Sequence, residues 1–176
     1  IRGAQSKIQL NIYEINKVSL VQELVEKIDD GLTVQILAEG HPFGGLSKTG
    51  VESLENIRDA IARQRRRNPS AQSWLRLMYK TDPNTPRRYP YDHAKYMIID
   101  STRAWVSSDN WSQTGHADPG KVGNRGWDVV VDQKALATEL NRIFLGDSKA
   151  SLSDILEVGA RTEIPTSYSA EEQTPQ

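Results

Sequence analysis

The first forty residues contain a strand, a helix and a second strand in direct succession. The segment KIQLNIYEI (7–15) alternates apolar and polar residues, as β-strands do. Apolar residues then recur at helical spacing up to Gly31, a natural helix stop, and LTVQILAEG (32–40) is predicted as a second strand. Two strands joined by a helix within about 35 residues form a βαβ unit, so we predict that they are parallel.

The rest of the chain alternates strands and helices in the same way. We predict a helix over VESLENIRDAIARQRRR (51–67) and another over QKALATELNRIF (133–144). Further strands are predicted at SWLRLMY (73–79), HAKYMIID (93–100), RAWVSS (103–108) and GWDVVVD (126–132). The pattern is that of an α/β fold.

Composition narrows the possible functions. A length of 176 residues suits one α/β domain or one half of a larger protein. No apolar run approaches the roughly 18 residues that a membrane-spanning helix needs. The net charge of −1 argues against general adhesion to nucleic acid or anionic membranes, although local patches could bind them. The absence of cysteine excludes disulfides and thiolate metal sites. Because the chain begins with Ile1, we expect a processed or truncated product.

Two segments each allow two interpretations. The glycine-rich loop GHPFGGLSKTG (40–50) is either a plain connection or a loop at the carboxyl end of a strand, where α/β folds place their sites. It matches neither a dinucleotide-binding nor a P-loop fingerprint. The cluster Arg63, Arg65, Arg66 and Arg67 ends a helix. We favour solvated cations that complement the helix carbonyls over a phosphate-binding role.

The segment YDHAKYMIIDSTRAWVSSDNW (91–111) contains the candidate site. Strand alternation predicts that His93 and Lys95 point the same way, and Asp100 closes the strand. The next strand ends in small polar side chains, and an amide follows after a loop: Ser107, Ser108, Asn110 and Asn124. Lysine and amide groups can hold phosphate oxygens, and an imidazole can attack phosphorus or carry a proton.

These residues resemble the phospholipase D superfamily and its HKD motif. The pattern His93–x–Lys95–x4–Asp100 is followed at the usual distance by a Ser107–Ser108–x–Asn110 segment, and GNRGWDVVVD resembles the strand that comes next. The resemblance covers roughly residues 1 to 147. It implies a mixed β-sheet flanked by helices on both faces, with a catalytic domain at 1–150. A short helix or turn and a mobile polar tail are expected at 151–176.

The resemblance also implies the roles of the site residues. His93 would be the nucleophile that forms a phosphohistidine, or the general acid. Lys95, Ser108 and Asn110 would bind phosphate oxygens. Asp100 belongs to the catalytic motif, although an orienting or structural role fits it better than chemistry. No cofactor and no metal are implied, and His41 and His116 stand apart without ligand spacing.

The chain departs from the family pattern in two ways. The family carries an orienting acid two residues after Asn124, where this chain has Gly126. From strand alternation, we predict that Asp128 takes its place. The chain also has one HKD motif, whereas the chemistry uses two histidines. A second HKD half must therefore come from a homodimer mate or from another part of a two-lobed enzyme, and the non-methionine start favours the latter.

The sequence leaves the substrate open between two phosphodiesters. Aromatic residues near the strand ends could approach a phospholipid, which we prefer slightly: Phe43, Tyr89, Tyr91, Trp105, Trp111 and Trp127. Alternatively, Arg87, Arg88 and the arginine cluster could contact DNA or RNA in a homodimeric endonuclease. A third alternative, suggested by Gly126, is a catalytically silent binding module. No compartment is predicted.

Overall fold

The computed structural model describes residues 1–80, 84 and 86–166. Over these residues it contains seven strands and three helices. They are β1 (Lys7–Ile12), α1 (Val18–Asp29), β2 (Thr33–Glu39), α2 (Lys48–Arg67), β3 (Trp74–Met78), β4 (Lys95–Ile99), β5 (Arg103–Ser107), β6 (Asp128–Asp132), α3 (Lys134–Asp147) and β7 (Ile155–Glu157).

The strands form one mixed sheet in the order β6-β5-β4-β1-β2-β3-β7. β1, β2 and β3 are parallel, which confirms the predicted βαβ unit. β4 runs antiparallel to β1, and β5 and β6 continue as antiparallel neighbours. The antiparallel pairing of β1 with β4 brings the carboxyl end of β1 to the amino end of β4, where the HKD motif begins.

Helices cover both faces of the sheet, as predicted. On one face, α1 and α2 pack on alternate strand residues such as Ile8, Leu10 and Ile36, all fully buried. On the other face, α3 inserts Phe144 against Trp74, whose ring stacks at a centroid distance of 5.4 Å. The central strands are therefore apolar on both sides, as buried strands of α/β folds are.

Several helix and strand boundaries differ from those predicted. Helix α2 begins three residues earlier than expected, because the hydroxyl of Ser47 accepts a hydrogen bond from the backbone N–H of Gly50 and caps the helix. No described helix has both the length and the apolar character needed to cross a membrane.

The end of the folded domain also differs from the predicted boundary at residue 150. Residues Ile155–Glu157 form β7, which pairs with β3 at the sheet edge, instead of a helix or turn alone. Val158 and Ile164 are buried in the core beyond it. The apolar contacts of these residues therefore extend the sheet and core past residue 150. The predicted tail from residue 167 onward lies outside the described residues.

Candidate active site

His93 and Lys95 lie together at the amino end of β4. Lys95 is the first residue of the strand and is only 6% exposed. Its ammonium donates to the backbone carbonyl of His93 at 2.9 Å and lies 3.0 Å from Nδ1 and 3.1 Å from Nε2 of the same residue. The structure therefore places a cation directly against the candidate nucleophile.

The electrostatics of this pair favour a neutral imidazole. Burial, followed by the charge of Lys95, lowers the pKa of His93, while Glu14 opposes the shift. Burial also lowers the pKa of Lys95, although the negative charges of Glu14, Asp92 and Asp109 act to raise it. At neutral pH His93 therefore has a lone pair available for attack, because its pKa lies below the ordinary value for histidine.

Tyr13 forms an aromatic wall beside His93 that the sequence analysis did not identify. The two rings are 4.6 Å apart between centroids, and the Lys95 ammonium lies 5.3 Å from the Tyr13 ring centre. Tyr91 packs edge-on against Tyr13. The phenol oxygen of Tyr13 accepts a hydrogen bond from the backbone N–H of Phe43 at 2.6 Å. The glycine-rich loop is thus attached to the site, in agreement with the second interpretation of that loop.

Glu14 is a second site residue that the sequence analysis missed. Its Oε2 accepts a hydrogen bond of 2.7 Å from Nδ2 of Asn110. The backbones on either side are joined as well, since the N–H of Trp111 donates to the carbonyl of Glu14 at 3.1 Å. Ile12 pairs with Lys95 in the sheet, so Glu14 continues from β1 toward the residues that precede β4. Asn110 is therefore brought to the His93 side of the sheet.

Ser108 connects the loop after β5 to the segment that precedes β6. Its backbone N–H donates to the carbonyl of Trp127 at 3.0 Å, and its hydroxyl accepts from the backbone N–H of Trp127 at 2.9 Å. The hydroxyl proton is still available to a ligand. Ser108 therefore has a structural role in addition to its predicted place in the phosphate cradle.

Asp109 fills the space beside Gly126. A side chain at position 126 would overlap with the carboxylate of Asp109, so only glycine leaves room for this arrangement. The charge of Asp109 acts on Lys95. A carboxylate from the loop after β5 thus occupies the space that a side chain at position 126 would fill.

Asn124 and Asp128 lie in exposed positions. The backbone N–H of Asn124 donates to the carbonyl of Thr114, which holds the loop before β6. Asp128 is the first residue of β6 and pairs in register with Ser107. The carboxylates whose charge acts on Lys95 are Glu14, Asp92 and Asp109 rather than the predicted Asp128.

Asp100 lies at the opposite end of β4 from His93. Its carboxylate accepts hydrogen bonds from the backbone N–H groups of Gln5, Ser6 and Lys7 at 2.8–3.0 Å. Burial would raise its pKa, but these hydrogen bonds lower the pKa of Asp100 to about 2. Asp100 therefore connects the entry to β1 with the turn after β4, and the structure does not bring it to the other motif residues.

Buried charges support the loop that carries His93. The carboxylate of Glu39 pairs with Arg87 at 2.6 Å and accepts the backbone N–H of Asp92 at 2.7 Å. Burial, together with the charge of Glu39, raises the pKa of Asp92 to about 6 despite a hydrogen bond from the backbone of Ala94. The residue before His93 is thus held by the end of β2.

Comparisons with known proteins agree with the fold and identify a family. The family model described as "Cardiolipin synthase, PLD-like domain" matches residues 1–148. Among curated proteins, no match is found.

Three solved structures share the fold at low sequence identity. Nuc from Salmonella typhimurium, described as a phospholipase D family member, has a TM-score of 0.65 and 14% identity, with 89% of this chain and 84% of that chain covered. NucT from Helicobacter pylori has a TM-score of 0.54 and 14% identity, covering 81% and 79%. Phosphatidylserine synthase from Haemophilus influenzae has a TM-score of 0.59 and 13% identity, covering 97% of this chain but 38% of that one.

The family match spans most of the 176 residues and includes the whole HKD segment. The chain belongs to the phospholipase D superfamily of phosphodiester-acting enzymes, as a PLD-like domain of the cardiolipin synthase type.

Proposed function

We propose that this chain cleaves or transfers a phosphodiester through a phosphohistidine on His93. A neutral imidazole nitrogen attacks phosphorus, the P–N bond forms, and the P–O bond to the leaving alcohol breaks as that oxygen takes a proton from a general acid. Water or a second alcohol then attacks phosphorus, gives its proton to the deprotonated general acid of the first step and breaks the P–N bond, which releases His93. Water yields hydrolysis, and an alcohol yields transfer.

The observation that carries the proposal is the contact between the His93 imidazole and the buried Lys95 ammonium. The ammonium lies about 3 Å from both ring nitrogens. Burial and the charge of this ammonium both lower the pKa of His93 and so favour the neutral imidazole. The ammonium also offers a positive charge to the phosphate oxygens, whose negative charge grows during attack. Asn110 and Ser108 add donors on the neighbouring loop. Asp100, at the other end of β4, has the structural role described above.

The general acid would come from a second HKD half. An apolar surface close to Ser108 suits such a partner. Val106 on β5 and Val129 on β6 are directly paired and exposed, and Trp127 is exposed just before β6. Exposed apolar side chains in a group favour burial against another protein surface. A homodimer mate or a second lobe of the same protein would each supply a second histidine.

We favour a phospholipid as the substrate. Phe43 is 73% exposed, and its backbone N–H donates a hydrogen bond to the hydroxyl of Tyr13. Trp127 is 71% exposed, and its backbone N–H donates a hydrogen bond to the hydroxyl of Ser108. Such side chains suit an apolar substrate or a membrane interface.

The arginines considered for nucleic acid are largely paired within the chain. Arg87 pairs with Glu39, and Arg88 pairs with Asp154. In the cluster at the end of α2, Arg63 and Arg67 pair with Asp29. A cation that is already paired contributes less to phosphate binding, because its partner competes with the phosphate. This pairing weakens the endonuclease alternative.

The first experiment measures the covalent intermediate and the substrate together. The protein is mixed with phosphatidylglycerol vesicles or with a single-stranded oligonucleotide, quenched in base, and analysed by peptide mass spectrometry. We expect a lipid-phosphate adduct on His93 with the vesicles. The adduct and the turnover should be absent from His93→Asn and present in the control His116→Gln.

Other outcomes would replace the proposal. An adduct formed with the oligonucleotide alone would identify a nuclease. No adduct and no turnover with either substrate, from a particle that contains two HKD halves, would identify a silent module. The mass of the native particle distinguishes a homodimer from a two-lobed enzyme.

A further inference from the structure

Glu14 lies where β1 leaves the sheet, beside the candidate site but outside the HKD motif. β1 pairs with β4 up to Ile12 and Lys95, so the chain beyond Ile12 runs alongside the residues that precede Lys95. The hydrogen bonds between residues 14–17 and residue 111 fix this segment against the loop after β5. Glu14 therefore lies between the strand that carries Lys95 and the loop that carries Asn110.

The hydrogen bond between Glu14 and Asn110 determines the orientation of the amide. An ionised carboxylate only accepts hydrogen bonds, so the group of Asn110 that faces Glu14 must be the NH2. One N–H is donated to Glu14. The second has no acceptor in the part of the chain that the structure describes, so it can donate to a ligand. The carbonyl oxygen of Asn110 is buried and has no partner among the described residues. Without Glu14, the amide could turn and present this oxygen to a phosphate, which would repel it.

Glu14 also supplies a negative charge to the reacting pair. Burial lowers the pKa of both His93 and Lys95, and the charge of Glu14 partly opposes this lowering in each case. His93 becomes positively charged when its nitrogen bonds to phosphorus or takes a proton. A nearby carboxylate stabilises that charge.

We propose that Glu14 is a positioning residue of this site: it holds the amide of Asn110 with its N–H toward the phosphate and counters the positive charge that develops on His93. This inference rests on the proposed function, in which His93 reacts and Asn110 binds the phosphate. Glu14 touches neither the phosphate nor the reacting nitrogen, and it acts through these two residues.

The test uses Glu14→Gln, Glu14→Asp and a surface control, Glu52→Gln. The glutamine loses the charge and can present an NH2 to Asn110. We expect its kcat/KM on an activated phosphodiester, bis(p-nitrophenyl) phosphate, to fall by about 10- to 100-fold, the range for a lost hydrogen bond to a charged group. Glu14→Asp should recover part of the rate, and Glu52→Gln should match the wild type.

The pH dependence separates positioning from a general structural defect. Attack needs neutral His93, so activity falls below the pKa of His93. Removing Glu14 removes an influence that raises this pKa, so the acidic limb of the profile should move to lower pH in Glu14→Gln. A variant that is merely less well folded would lose rate without moving the limb.

An NMR titration of the His93 ring measures the same pKa without turnover. A lower pKa of His93 in Glu14→Gln than in the wild type and in Glu52→Gln supports the proposal, whereas an unchanged pKa and an unchanged kcat/KM overturn it. Failure of the proposed function gives a different result: the wild type itself neither turns over diesters nor forms an adduct, whatever the titration shows.

Discussion

Replacing Asp100 with asparagine keeps the size of the side chain and removes its charge. The pKa of Asp100 lies at about 2 instead of the ordinary 3.8, because backbone N–H groups of Lys7, Gln5 and Ser6 bind the carboxylate. One pKa unit corresponds to about 1.4 kcal/mol. Allowing for solvent screening at this partly exposed position, we expect Asp100→Asn to lower the free energy of unfolding by about 1–2 kcal/mol at pH 7.

The pH dependence of this loss follows from the sign of the shift. The folded pKa is depressed, so the stabilisation is present above the unfolded pKa and disappears as the pH falls through the folded pKa. The difference between the two proteins should be roughly constant from pH 7 to pH 5 and about half as large at pH 3. Urea unfolding at these three pH values measures it, with the exposed Asp30→Asn as the control.

Two results would refute this reasoning. Equal stability of Asp100→Asn and the wild type at pH 7 would show that the carboxylate does not hold the entry to β1. A fully folded variant that loses turnover would show that Asp100 acts in the chemistry, in spite of its place at the far end of β4. We expect the folded variant to keep the wild-type kcat.

Three further substitutions have defined outcomes. Asp92→Asn should raise the free energy of unfolding at pH 7 by up to about 3 kcal/mol, because burial raises the pKa of Asp92 to about 6. Ionisation of Asp92 in the wild type therefore costs stability as the pH rises from about 4 to 6. Urea unfolding at several pH values should show that the gain disappears below about pH 4. Gly126→Ala should cost about 0.5–1.5 kcal/mol by forcing Asp109 into another rotamer, and a double-mutant cycle should show no cost in an Asp109→Ala background. Lys95→Met should abolish turnover while thermal unfolding shows unchanged or slightly higher stability, and a large loss of stability would contradict this.

Most of the fold could be predicted because its signals are local. The alternation in 7–15 and 32–40 and the helical spacing between them follow from the sequence of each segment alone. β7 could not be predicted in this way, since it has three residues and only Ile155 among them is buried. Its strand conformation depends on pairing with β3, from which it is separated by more than seventy residues of chain.

The site was only partly predictable for a related reason. Tyr13 and Glu14 belonged to the predicted strand, but β1 ends at Ile12, and the two residues reach the site through the pairing of β1 with β4. No local pattern contains that information. The expectation for Asp128 assumed strand alternation from residue 126, whereas β6 begins only at Asp128, so alternation does not apply there.

The silent-module alternative rested on Gly126, and the surroundings of Lys95 weaken it. Among the described residues, no carboxylate lies within ion-pair distance of the Lys95 ammonium, and burial lowers its pKa. Keeping a cation buried against an imidazole costs stability that a methionine would not. Because Gly126 has no side chain, there is room for the carboxylate of Asp109, whose charge acts on Lys95. An arrangement that is costly for folding and has charges placed around it is typical of a working site.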